Sequence, residues 1–272
     1  MFSVNFDISG QVAVITGAGG IICGTLAKEM AKKGVKVALL DLFLESAQKI
    51  ADEIIADGGD AIAIKTDVLD RTSMETARET VMEKYGKIDI LVNGAGGNKP
   101  QATITKDQDF FHLDLDAFKW VFDLNVTGAV LTTMVFGEIM AKQESGNIIN
   151  IASMSSYHPL TNTVAYCGAK AAVANFTEWM ATHFNQNYSN NIRVNAIAPG
   201  FLLTNQNRYL LTNEDGSATD RGQRVLAKTP MGRYGEPVEM AGPVMFLCSE
   251  AASFINGAVL PVDGGFSSYW GV

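Results

Sequence analysis

The stretch "QVAVITGAGGIICGTLAKEMAKKGVKVALLD", residues 11–41, decides the fold. It opens on a short apolar run, 11–16, with no polar alternation, the pattern of a strand covered on both faces. A glycine-rich turn follows, and then a helical pattern over 20–33 that stops at Gly34. A second apolar run, 35–41, ends on Asp41. Strand, turn, helix and strand make a β-α-β unit, in which the two strands lie parallel. The turn itself is irregular. Loops that cradle phosphates read G-x-G-x-x-G or G-x-x-x-G-x-G. Counted from Gly17, the later glycine positions of the second pattern hold Ile21 and Cys23.

The same rhythm continues outward from that unit. A helix is expected over about 44–57, and further strands at 61–67, 87–93, 146–153, 191–199 and 257–265. No linker, repeat or low-complexity stretch interrupts them. The expectation is a single α/β domain over 1–272, a doubly wound Rossmann fold. It has about seven parallel strands and helices on both faces. In such sheets ligands bind at the carboxyl ends of the strands. Here those ends are "TGAGG", Asp41, "TDV", "NGAGG", "SMSS" and "PGF".

Composition narrows the function. The 272 residues are 47% hydrophobic and 18% charged, enough for a substantial core. A net charge of −8 with no basic patch argues against a nucleic-acid partner. Cys23, Cys167 and Cys248 are few, odd in number and far apart, so neither a disulfide framework nor a metal site is expected. "MFSVNFDISG" lacks the basic start and apolar run of a signal peptide, and no unbroken apolar run of ~20 residues offers a membrane span. These features lead to the expectation of a cytoplasmic protein without a membrane partner.

The strand ends carry the candidate chemistry. Gly17 allows a tight turn, and Gly19 and Gly20 let backbone N–H groups approach a phosphate where the helix begins, at Ile21 and Ile22. Asp41 stands close to the ~20-residue interval at which an acidic residue meets an adenosine ribose. A carboxylate there hydrogen-bonds the 2′-hydroxyl of NAD and repels the 2′-phosphate of NADP; a helix-capping aspartate is the plainer reading. Asp67 suits an adenine contact or a helix cap. Tyr166 and Lys170 are four apart and share one face of a helix. An ammonium there is expected to lower the tyrosine pKa and make it a general acid/base. Ser153 ends the preceding strand.

Taken together, these residues resemble the short-chain dehydrogenase/reductase family over nearly the whole chain. The resemblance implies that the glycine loop, Asp41 and the pair Asp67–Val68 hold the cofactor. It also implies cofactor contacts at Asn93, Ala95 and Gly96, with Gly94 standing where the family has a second asparagine. Pro199, Gly200 and Thr204 lie on the nicotinamide side. Asn125, Ser153, Tyr166 and Lys170 match the catalytic positions. Tyr166 would exchange the proton, Lys170 would assist it and hold the nicotinamide ribose, Ser153 would orient the substrate oxygen, and Asn125 would position a water. The missing glycines then mark a subgroup variation of a working cofactor loop.

The substrate reading rests on two segments. "GNKPQATITKDQDFFHLD" is longer than the family's usual connection and carries Asn98 and Lys99. "FLLTNQNRYLLTNEDGS" after Gly200 is rich in hydrogen-bonding residues and poor in the large apolar side chains of a steroid or acyl pocket. Both resemble the sugar-acid branch of the family, which interconverts D-mannonate and D-fructuronate. Asn98, Lys99, Ser155, His158, Asn207 and Arg208 are the candidate substrate contacts. Gluconate 5-dehydrogenase or another polyol dehydrogenase is the alternative within the class, and an acyl-carrier substrate ranks lower. A non-catalytic NAD-binding regulator and an epimerase using NAD transiently are the readings outside it. Homo-oligomers, dimer or tetramer, are common in the family and are expected here.

Overall fold

The computed structural model describes residues 4–204 and 208–271. Seven strands form one parallel sheet: β1 (Val12–Thr16), β2 (Lys36–Asp41), β3 (Ala61–Lys65), β4 (Ile90–Asn93), β5 (Gly146–Ile151), β6 (Ile192–Pro199) and β7 (Val259–Val262). Their order across the sheet is β3-β2-β1-β4-β5-β6-β7. The chain builds outward from β1 to β3, then returns to the other side of β1 and builds outward again to β7. Successive connections therefore part between β1 and β4, the switch point at which α/β sheets open a crevice. There Ala13 pairs with Ile90 and Ile15 with Val92.

The missing polar alternation has its expected cause. Ala13 and Ile15 of β1 face one buried cluster with Leu26, Met30 and Val244, while Val12 and Val14 face another with Phe136, Met140 and Phe184. The first cluster is covered by α1 (Ile21–Lys32), α2 (Leu44–Ala56) and α9 (Ala241–Cys248). The second is covered by α3 (Arg71–Tyr85), α5 (Gly128–Gln143) and α6 (Val164–Asn187). Phe136 is completely buried, a contribution of roughly 1.5–3 kcal/mol from that side chain alone. Shorter helices are α4 (Leu115–Phe122), α7 (Arg208–Leu211) and α8 (Asp220–Lys228).

The element boundaries move inward from their expected positions. The strand expected to run to Asp67 stops at Lys65, because Asp67 accepts the Leu69 N–H and starts a turn. α4 runs through a π-helical segment, Asp123–Thr127, straight into α5. This run, residues 115–143, is long and apolar enough to cross a membrane by length and composition alone. Half of its apolar window is buried inside the molecule, so packing against the sheet accounts for its apolarity.

Candidate active site

The carboxyl ends of β1, β2, β4, β5 and β6 open into a cleft of about 900 Å³. Its floor is made by the two glycine stretches, which touch each other. Gly17 sits at φ +64°, and a Cβ there would come within 2.9 Å of the Ala95 backbone. The Thr16 hydroxyl, at the end of β1, accepts the N–H groups of Gly94 (3.1 Å) and Ala95 (3.2 Å). Sequence reading missed Thr16, since nothing marks a strand-end threonine as the clasp between two loops.

α1 begins at the cleft without a side-chain cap on Gly20 and with no acidic residue in its first turn. Its free N–H groups and positive dipole end are left for an anion. Gly17, Gly19, Gly20, Ile21 and Ile22 all line the cleft there. Asp41 closes one end: its carboxylate accepts the Gly19 N–H at 2.9 Å and the Phe43 N–H at 2.9 Å. Gly19 has no room for a side chain, because a Cβ would lie 2.6 Å from Ser46 Cβ. Asp67 and Val68 line the same end. The cap of α3 is Asp70, so the capping alternative for Asp67 falls away. Glycine backbone, an uncapped helix start and a terminal carboxylate fit a dinucleotide.

Across the switch point lie Ala95, Gly96, Ser153, Tyr166, Pro199, Gly200 and Thr204. Asn93 does not reach the cleft with its side chain. Its Nδ2 donates to Thr133 Oγ1 (3.0 Å) and Asn150 Oδ1 (2.8 Å), tying β4 to α5 and β5 behind the site. Asn125 sits in the π-helical segment and is 2% exposed. Its Nδ2 donates to the carbonyls of Gly97 and Val121, both at 2.7 Å, while its Oδ1 accepts the Gly97 N–H at 3.2 Å. Both N–H groups of the amide are engaged, so any water it meets must donate to Oδ1.

Ser153 Oγ accepts the Ser155 N–H at 3.1 Å, and Ser153 and Tyr166 both line the cleft. The buried Lys170 lies one helical turn beyond Tyr166, its Nζ 5.6 Å from the phenol ring centre. It donates to the Ile151 carbonyl at 2.8 Å. The charges differ from the sequence expectation. Burial pushes the Tyr166 phenol above its ordinary value, and the neighbouring Ser153 hydroxyl opposes that without reversing it. Burial also lowers the Lys170 ammonium to about 8. The lysine is spent on a carbonyl and is itself costly to charge, so the spacing of four does not yield a lowered phenol.

None of the described candidate substrate residues lines the cleft itself, and Lys99 comes nearest through a ring that does. Its ammonium stands 4.1 Å from the ring centre of Trp120, a lining residue that carried no sequence signal. Lys99 has no carboxylate within ion-pair distance among the described residues. Asn98 donates to Thr103 Oγ1 within its own loop. Ser155 is buried beneath the site with its hydroxyl unpartnered, and His158 packs edge-on against Trp270. Arg208 is exposed in α7, and Asn207 lies outside the described residues. Among the described residues no group of three or more His, Cys, Asp or Glu side chains could hold a metal ion.

A family model described as enoyl-(acyl carrier protein) reductase matches residues 17–267. The chain belongs to the short-chain dehydrogenase/reductase family. It is thus an NAD(P)-dependent oxidoreductase acting on CH–OH groups. It is 45% identical to the uncharacterized oxidoreductase UxuB of Bacillus subtilis, with both chains covered in full. A crystal structure of a candidate D-mannonate oxidoreductase from Haemophilus influenzae, with bound NAD, is 46% identical and has a TM-score of 0.92, covering 98% of each chain. A candidate gluconate 5-dehydrogenase from Beutenbergia cavernae, with NADP bound at low occupancy, is 32% identical with a TM-score of 0.85, covering 97% of this chain and 99% of its own.

Proposed function

We propose that the protein is an NAD-dependent reductase of a keto sugar acid, interconverting D-fructuronate and D-mannonate. The observation that carries the acid is Lys99, an unpaired ammonium held over Trp120 at the substrate end of the cleft. In a chain of net charge −8, a local cation packed on a ring that lines the cleft suits a carboxylate substrate. Asp41 supports NAD over NADP, since a carboxylate lining this end of the cleft would accept a ribose 2′-hydroxyl and repel a 2′-phosphate.

When bound, the reduced nicotinamide supplies the hydride to the ketone carbon. Tyr166 gives its phenolic proton to the ketone oxygen, and the raised phenol pKa keeps that proton in place at neutral pH. Ser153 orients the same oxygen and, in the reverse direction, stabilises the phenolate. Lys170 supplies positive charge below about pH 8. Asn125 is a positioning residue that holds Gly97 and, through it, the loop after β4. The chain acts as one domain, a cytoplasmic homo-oligomer in this reading. Exposed Met134 on α5 and Trp179 on α6 support self-association.

The test is NADH oxidation with D-fructuronate, against D-tagaturonate, 5-ketogluconate and NADPH. Turnover with D-fructuronate and NADH is expected, and Lys99→Ala is expected to raise KM about tenfold with kcat kept, the loss of one ion pair. Turnover with 5-ketogluconate alone moves the substrate to gluconate 5-dehydrogenation, the reading to which the Beutenbergia likeness lends support.

A further inference from the structure

The loop's departure from its pattern at Cys23 and the departure at Gly94 meet in space. Cys23 lies in the first turn of α1, 4% exposed, and its Sγ fills the place a side chain at 94 would need. A Cβ built on Gly94 falls inside the sulfur's envelope and 2.8 Å from the Thr16 carbonyl oxygen. Both residues line the cleft. Around them the fit is continuous: Gly17 abuts Ala95, and the Thr16 hydroxyl holds the N–H groups of residues 94 and 95. Bulk that the family pattern carries on the β4 loop stands here on the helix instead.

We propose that Cys23 and Gly94 form one positioning unit, in which the thiol replaces the missing side chain and fixes the spacing between the phosphate loop and the loop after β4. Burial pushes the thiol up to about 12, so it fills this place as a neutral group. A side chain at either position is tolerated only when the other is reduced. The pair acts on the cofactor because the two loops it spaces carry opposite halves of the cleft floor. The proposal rests on the reading of that cleft as a dinucleotide site.

A double-mutant cycle tests it, using the full chain and reading NADH affinity by fluorescence titration and melting temperature without cofactor. Gly94→Ala alone is expected to weaken NADH binding about tenfold or more and to lower Tm; Cys23→Gly alone, about threefold, by opening a void. The double variant Cys23→Gly/Gly94→Ala is expected to recover most of both losses, with the remaining contact at the Thr16 carbonyl keeping it short of the wild type, a coupling that independent sites do not show. Additive losses overturn the proposal. If Gly94→Ala fails to fold alone, a folded double variant supports the pairing, and an unfolded one places the clash at Thr16 and overturns it. Cys23→Ala, which removes only the sulfur, must also weaken NADH binding; unchanged affinity overturns the proposal. A wild type that binds no NADH instead sinks the dinucleotide reading itself.

Discussion

Tyr166 and Asp41 are the two side chains whose chemistry is most sharply set by their neighbours. Tyr166→Phe removes the transferable proton and keeps the ring that packs against the cluster of Ala102, Ala117, Val121 and Ala165. NADH affinity should stay within about threefold while kcat falls by about 100-fold or more, the usual worth of a positioned acid. Turnover unaltered by that change would leave a binding protein or a different acid. Asp41→Ser deletes the carboxylate that accepts two backbone N–H groups, and one hydroxyl cannot serve both. NADH should bind less tightly, and the ratio of kcat/KM for NADPH over NADH should rise about tenfold or more as the repulsion disappears. An unchanged ratio would assign the choice of nucleotide elsewhere.

At the scale of elements, the π-helical segment between α4 and α5 decides where Asn125 points. Inserting one residue into the turn brings its amide between Val121 and Gly97, joining the helix to the loop after β4. Asn125→Ala leaves one buried and two part-buried backbone groups without that partner, which should cost about 2 kcal/mol and show as a lower urea midpoint. Asn125→Asp should be worse, since a carboxylate would face two carbonyl oxygens. The sequence marked Asn125 only through the resemblance; no periodicity announces a π turn. The strands were legible because double-sided burial leaves an unbroken apolar signature, seen in β1 and in the buried middle of β2. Lys99 over Trp120 was half legible. The cation stood out beside the cofactor loop, but its ring came from a helix with no motif.

For the whole molecule, Lys170 links folding to pH. Its ammonium titrates near 8 when folded, below the 10.5 of the free side chain. Between those values the unfolded chain holds the extra proton, so this group makes stability rise with pH across that window and imposes its full penalty below it. The span corresponds to about 3 kcal/mol at most. Lys170→Met lacks that dependence, so the wild type should gain Tm on the variant between about pH 8 and 10.5. Parallel curves would mean the lysine is not buried as a charge. The same shift explains a misreading at the sequence level: a lysine four residues from a tyrosine suggests a lowered phenol, and burial of both reverses the balance.

The cleft is assembled from two inheritances that meet only at the switch point between β1 and β4. Residues before β4 hold the end closed by Asp41, while Trp120, Leu160 and Phe201 come from later connections that no strand pairing constrains. Those later segments can diverge without disturbing the nucleotide end. Exchanging 98–114 and 208–228 between relatives is thus a natural route to retargeting such an enzyme, with its coenzyme habit left intact.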